Sequence, residues 1–69
     1  MYNYEMIIHY DKEENLYIAE VPDLPGCIAD GKTYEEAARN AHTVIAEWIE
    51  TAKELNREIP YPTPATNYA

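Results

Sequence analysis

Two turn segments constrain this chain more than anything else in it. They are Val21-Pro22-Asp23-Leu24-Pro25-Gly26-Cys27 and Gly31-Lys32-Thr33-Tyr34-Glu35-Glu36-Ala37, separated only by Ile28-Ala29-Asp30. Pro22 has no amide proton, so any strand ladder running into it must stop there. Pro25 presets one φ angle and Gly26 accepts a positive φ in the next position, so Asp23-Leu24-Pro25-Gly26 reads as a turn. Thr33 and Glu36 have the T-x-x-E spacing of a capping box, in which the hydroxyl accepts from the third helical amide and the carboxylate reaches back to the cap's own amide. Glu35 and Glu36 also sit where the helix dipole favours negative charge. Pro22, Pro25, Gly26, Gly31, Thr33 and Glu36 are therefore assigned to backbone geometry. The chain is expected to be extended before residue 22 and helical beyond residue 33.

The flanking patterns agree. Residues 2–10 alternate, with Tyr2, Tyr4, Met6, Ile8 and Tyr10 on one side and Asn3, Glu5, Ile7 and His9 on the other, which predicts a strand. Asp11-Lys12-Glu13-Glu14-Asn15 is a polar break of hairpin length. Leu16-Tyr17-Ile18-Ala19-Glu20-Val21 resumes as a second, antiparallel strand, and Cys27-Ile28-Ala29-Asp30 is expected to form a third beside it. Beyond Thr33, Ala37, Ala41, Val44, Ile45, Trp48, Ile49, Ala52 and Leu55 recur at steps of three and four. They predict an amphipathic helix of about six turns. Asn56 suits a left-handed cap, and Pro60 forbids continuation. Ile59-Pro60-Tyr61-Pro62-Thr63-Pro64 reads as an extended arm or edge strand. The domain is placed at residues 1–60, with a Pro-rich arm at 61–69.

The expected fold class is α+β, two layers, with one long helix packed on an antiparallel sheet. One helix cannot cover both sheet faces, and Tyr4, Ile7, Tyr10 and Tyr17 cannot all lie beneath it. Exposed apolar area of that kind marks an interaction surface. At 69 residues the chain is one domain, and a domain this size buries only about 60% of the surface its unfolded form exposes. A single cysteine, Cys27, excludes an internal disulfide, and His9 and His42 stand apart from each other and from Cys27. Neither a structural metal nor a cofactor is expected, and a homo-oligomer, dimer or tetramer, is the remaining common source of burial.

Thirteen acidic and five basic residues give a net charge of −8, with the cations dispersed. A phosphate backbone is repelled at that charge, so direct nucleic-acid binding is not expected, and a basic protein partner is. Taken alone, the same excess of acid also keeps a small protein soluble. The N-terminal residues lack the pattern of a signal peptide, and no apolar run approaches membrane-spanning length; with one free cysteine, a cytoplasmic location is expected. Cys27, beside Ile28 and with no base near it in sequence, reads as a core thiol. His9 reads as a surface histidine. His42 lies one residue off the apolar stripe and is given no proton-transfer or ligand role. Asp23 and Leu24 are expected to be the exposed members of the proline loop, and Glu13 and Glu14 those of the hairpin turn. These four are the candidate partner-binding residues.

Taken in order, Tyr4-Glu5-Met6-Ile7-Ile8, an acidic turn, Leu16-Tyr17-Ile18-Ala19-Glu20, the two turn segments, a helix and Glu58-Ile59-Pro60-Tyr61-Pro62 resemble the N-terminal domain of the HicB family of antitoxins, over roughly residues 2–60. The resemblance implies a β-β-β-α core, often finished by one more short strand and likened to a reduced ribonuclease H fold. It implies oligomers, and a role in blocking a small basic HicA-like toxin that cleaves mRNA. It does not carry catalysis, because metal-dependent nucleases need several carboxylates converging on magnesium and no Asp/Glu set is so spaced here. Catalytic residues are expected to be none. Longer members continue into a DNA-binding segment with no counterpart in these 69 residues, so DNA binding is not expected of them. The alternative within the same scaffold is an orphan oligomeric structural or small-ligand module without a toxin.

Overall fold

The computed structural model describes residues 3–62. Its element order is β1 (Ile7–Asp11), β2 (Leu16–Glu20), β3 (Ile28–Gly31) and α1 (Tyr34–Glu54). The three strands form one antiparallel sheet in the order β1-β2-β3, and α1 lies across one face, as the α+β reading requires. The hairpin register pairs Ile7 with Glu20, His9 with Ile18 and Asp11 with Leu16. Tyr17 faces Gly31 and Glu20 faces Ile28 on the other side of β2.

Local chemistry accounts for the joints. Between β2 and β3 the chain makes two consecutive turns, with Leu24 N–H donating to Val21 O at 3.1 Å and Cys27 N–H to Leu24 O at 2.9 Å. Gly26 takes φ +78°, the value that the third position of a type II turn demands after proline. Val21 N–H closes the mouth of this loop on Cys27 O at 3.0 Å. The cap forms with one departure from the expected box: Glu36 N–H donates to Thr33 Oγ1, but Glu36 Oε1 accepts from Lys32 N–H, one residue before the cap, rather than from the cap's own amide, each bond at 3.0 Å. At the other end of α1, Asn56 adopts φ 55°. Arg57 N–H reaches Ala52 O at 2.8 Å and Asn56 N–H reaches Lys53 O at 3.2 Å, the paired bonds of a Schellman cap.

Four expectations need correction at their boundaries, one of them the second strand, which ends at Glu20 and not at Val21. The first strand begins at Ile7 rather than near residue 2; Tyr2 lies outside the described residues. Its partner β2 ends at Glu20 opposite Ile7, because Pro22 terminates that strand, so residues 3–6 have no ladder to join. Their alternation nevertheless survives, since Tyr4 and Met6 still pack on the core. The third strand begins one residue late, at Ile28, because Cys27 is consumed by the turn. Leu55 does not extend the buried stripe: it is the C-cap, 59% exposed, where the backbone leaves helical geometry.

The core has two parts. Val21, Leu24, Cys27, Ile45 and Ile49 are buried together, with Tyr4, Met6, Val44, Trp48 and Ile59 against them. Towards the start of the helix, Ala19, Ala37 and Ala41 pack with Met6, Ile8, Tyr17 and Ala29. Alanines let the first turns of α1 press close to the sheet, and the backbone of those turns lies directly against Gly31. A Cβ placed on it would stand 2.4 Å from Ala37 N. Beyond the helix the chain returns to the sheet: Ile59 joins the core, and the Tyr4 hydroxyl donates to Pro60 O. Tyr61 is 91% exposed. No further strand comes after α1 among the described residues, and residues 63–69 of the expected arm lie outside them.

Candidate functional site

Strand side chains alternate between faces, and the contacts of Ile8, Tyr17, Ala19 and Ala29 with α1 settle which face is which. The alternate set faces away from the helix. Along the register it forms one row of Ile7, Glu20 and Ile28, a second of His9, Ile18 and Asp30, and a third of Asp11 and Leu16. Ile7 is 50% and Ile28 53% exposed. His9 Nε2 and Glu20 Oε2 meet at 3.1 Å across β1 and β2. Both are solvent-facing, so this pair adds little to stability, but it sets a polar bridge among the isoleucines of this face. The open face therefore mixes uncovered isoleucines with carboxylates.

The four candidate partner-binding residues fall at opposite ends of the sheet. Glu13 and Glu14 are exposed in the β1–β2 turn, whose shape comes from Asp11: its Oδ1 accepts from Glu13 N–H at 2.9 Å and Glu14 N–H at 3.3 Å. The start of α1 lies at that same end. Asp23 and Leu24 belong to the β2–β3 loop, one strand length away, roughly 15 Å. Asp23 is partly exposed. Leu24 corrects the expectation made for it: it is 1% exposed and among the most deeply buried side chains of the protein. The double turn folds its side chain inward, and Trp48 of the helix locks the loop down by donating its indole N–H to Pro25 O at 2.9 Å. Leu24 therefore presents almost no surface to a partner. A groove of about 370 Å³ runs beside the loop, lined in part by Ile7, Glu20, Pro22, Leu24, Pro25 and Ile28.

Cys27 is 4% exposed, and burial pushes its thiol above the ordinary range, which disfavours the nucleophilic thiolate. His9 is an exposed surface residue, and His42 is exposed on α1. Among the described residues, no group of three or more His, Cys, Asp or Glu side chains could hold a metal ion. No helix among them is long and apolar enough to cross a membrane.

Sequence reasoning missed one cluster. Tyr10 and Tyr17 stand opposite each other in the hairpin with ring centroids 5.1 Å apart and planes at 60°. Tyr34, the first residue of α1, adds its ring 4.3 Å from Tyr17. The Tyr10–Tyr17 pair arises from a hairpin register that the turn length allowed one to draw. Nothing local in the sequence brings Tyr34 onto it.

These features define a small two-layer α+β domain with one sheet face open. The chain belongs to the HicB-like antitoxin family of bacterial toxin–antitoxin systems, whose pattern it matches over residues 4–69. It is 44% identical over 57 residues to a UPF0150 protein of Thermoplasma acidophilum, an alignment spanning 83% of this chain and 81% of that one. It is 40% identical over 58 residues to a UPF0150 protein of Synechocystis, covering 84% of this chain and 78% of the relative. An uncharacterized 14.9 kDa protein from the rep-hol intergenic region of Haemophilus phage HP1 is 38% identical over 58 residues, 84% of this chain but 44% of the phage protein.

Proposed function

We propose that this chain is an antitoxin-type binding protein that neutralises a HicA-like, mRNA-cleaving toxin by direct protein–protein occlusion in the cytoplasm. Family membership supplies the antitoxin role. The observation that carries the finer reading is the surface itself: half-exposed isoleucines on the open sheet face, with carboxylates among them and at both ends of the sheet. A basic RNA-binding toxin offers the complementary charge, and acidic side chains laid over it compete with substrate phosphates. No catalytic group is required.

The open face also suits a second copy of the chain. Ile7 and Ile28 bracket Glu20 on adjacent strands, and covering them supplies burial that a single small core lacks. The homo-oligomer and the toxin claim the same face, so light scattering with and without the toxin is the measurement that separates them. Ile28→Glu is expected to shift the protein towards monomer, and an unchanged mass would remove this face from the assembly. The second reading, an orphan oligomeric structural or small-ligand module, draws on the same face and on the groove beside the proline loop.

The deciding experiment is co-expression with a basic protein encoded in the neighbouring reading frame, then co-purification and an RNA-cleavage assay. Co-purification together with suppressed cleavage supports the antitoxin reading; free, fully active toxin in the presence of this protein rejects it. Charge reversal of Glu13 and Glu14 to Lys tests the steering component. Association with the basic toxin is expected to slow at low salt, with the difference shrinking as salt screens it. An unchanged rate at low salt would remove the turn from the encounter.

A further inference from the structure

We infer that the Tyr10–Tyr17–Tyr34 ladder is a docking site for an arginine side chain of a basic protein partner. This rests on the proposed antitoxin reading for its partner, and adds where that partner is gripped and by which residue type. The ladder stands at the end of the sheet where the β1–β2 turn and the start of α1 come together. Its outer members are open to solvent, Tyr10 at 46% and Tyr34 at 54%, while Tyr17 is half-buried between them. The rings are held in place. Tyr10 and Tyr17 meet edge to face, Tyr17 and Tyr34 are tilted by 43°, and the Tyr10 hydroxyl donates to Asn15 Oδ1 at 2.9 Å. A surface of ordered aromatic rings binds with little loss of side-chain freedom.

The charge around the rings selects the occupant. The segments that carry and adjoin them hold Asp11, Glu13, Glu14, Glu35 and Glu36 against Lys12 and Lys32. Asp11 is occupied in shaping the turn and Glu36 in capping the helix; Glu13, Glu14 and Glu35 are exposed. A second copy of this chain would bring the same carboxylates against these, and nucleic acid would bring phosphates, so both are repelled. A guanidinium fits both components at once: it stacks on aromatic faces and presents a planar fork of N–H donors to carboxylates. An ammonium makes the charge contact but is more strongly hydrated and lacks the flat face. Arginine is preferred over lysine on that ground.

The test uses the intact protein and an N-acetylated, C-amidated tetra-arginine peptide, with tetra-lysine as comparison, read by ¹H–¹⁵N NMR titration. Arginine is expected to shift amides in residues 10–17 and 31–36 selectively, and to bind more tightly than lysine. Tyr34→Ala should weaken binding by about 2- to 30-fold, the span of a lost cation–π contact. Tyr34→Phe should retain it, since the ring remains. Glu35→Gln, an exposed change that leaves the cap bonds in place, should weaken it as well and keeps the test decisive if the alanine variant does not fold. Shifts centred on the open sheet face, equal binding of the two peptides, or unchanged affinity in both Tyr34→Ala and Glu35→Gln would overturn the assignment. The two readings fail separately. Captured toxin whose affinity ignores Tyr34→Ala overturns this site alone, while arginine binding without any captured toxin overturns the antitoxin reading alone.

Discussion

Replacing Gly31 by alanine is the most direct probe of how this fold closes. The added Cβ would lie 2.4 Å from Ala37 N, 2.8 Å from the Glu36 carbonyl carbon and 2.9 Å from Ala37 Cα, whereas ordinary contact begins at 3.4 Å. About 1 Å must therefore open between β3 and the first turn of α1, against close-packed atoms. All three contacts are backbone, so no side chain can swing aside. Those atoms are also tied to the cap: Ala37 N–H is bonded to Thr33 O and Glu36 N–H to Thr33 Oγ1, each at 3.0 Å. Overpacking of this kind costs about 1–3 kcal/mol. The loss of glycine's freedom in the unfolded chain offsets roughly 0.4–1 kcal/mol of that. With three backbone atoms to displace, the cost falls in the upper half of that span, so a net loss of about 1–2.6 kcal/mol in so small a domain should lower the thermal midpoint by roughly 5–20 °C. The assay is far-UV circular dichroism melting at one fixed protein concentration, so that any oligomer contributes equally. Gly26 supplies the control, because it needs a positive φ but has nothing within 4 Å of its hypothetical Cβ. Asparagine tolerates that conformation, so Gly26→Asn should be far milder than Gly31→Asn. A Gly31→Ala midpoint equal to or above that of the parent would refute the packing argument.

Other perturbations draw on the same geometry. Thr33→Ala removes the acceptor for Glu36 N–H and should cost about 1 kcal/mol, read from urea unfolding; coupling to Glu36→Ala in a double-mutant cycle would identify the capping box as the source. Leu24→Ala, at a site 1% exposed, should cost about 2–5 kcal/mol, visible as a fall in midpoint or in folded yield, whereas a solvent-facing leucine would cost almost nothing. Cys27 gives a pH dependence. Its folded thiol is raised by burial, so with rising pH the unfolded chain ionises first and is stabilised; stability is present below the ordinary thiol range and is lost as pH climbs through it. Cys27→Ala should flatten that alkaline decline in urea midpoints, and an identical decline in the variant would clear the thiol of responsibility.

Much of the architecture was legible because it is written in short-range chemistry. The Thr33–Glu36 pair marks its own helix start, Pro25-Gly26 dictates a turn through two φ angles, and Asn56 supplies the left-handed residue that ends the helix. The alternation of residues 4–10 and the three-four spacing from Ala37 to Ala52 encode which side of each element turns inward. Each of these depends on neighbours within a few positions, so one sequence is enough to see it.

What the linear order could not convey is what each element meets. Leu24, set among Pro22, Asp23 and Pro25, has the surroundings of an exposed loop residue. It is buried because Trp48, far along the helix, reaches back to hold Pro25. β1 starts at Ile7 because its partner stops at Glu20, and Gly31 matters because α1 happens to pass over it. Tyr34 completes an aromatic ladder only once the helix start has been laid beside the hairpin. Backbone conformation is decided by the next few residues, and burial by elements that folding alone brings together; the loop, the open face and the aromatic end of the sheet are products of the second.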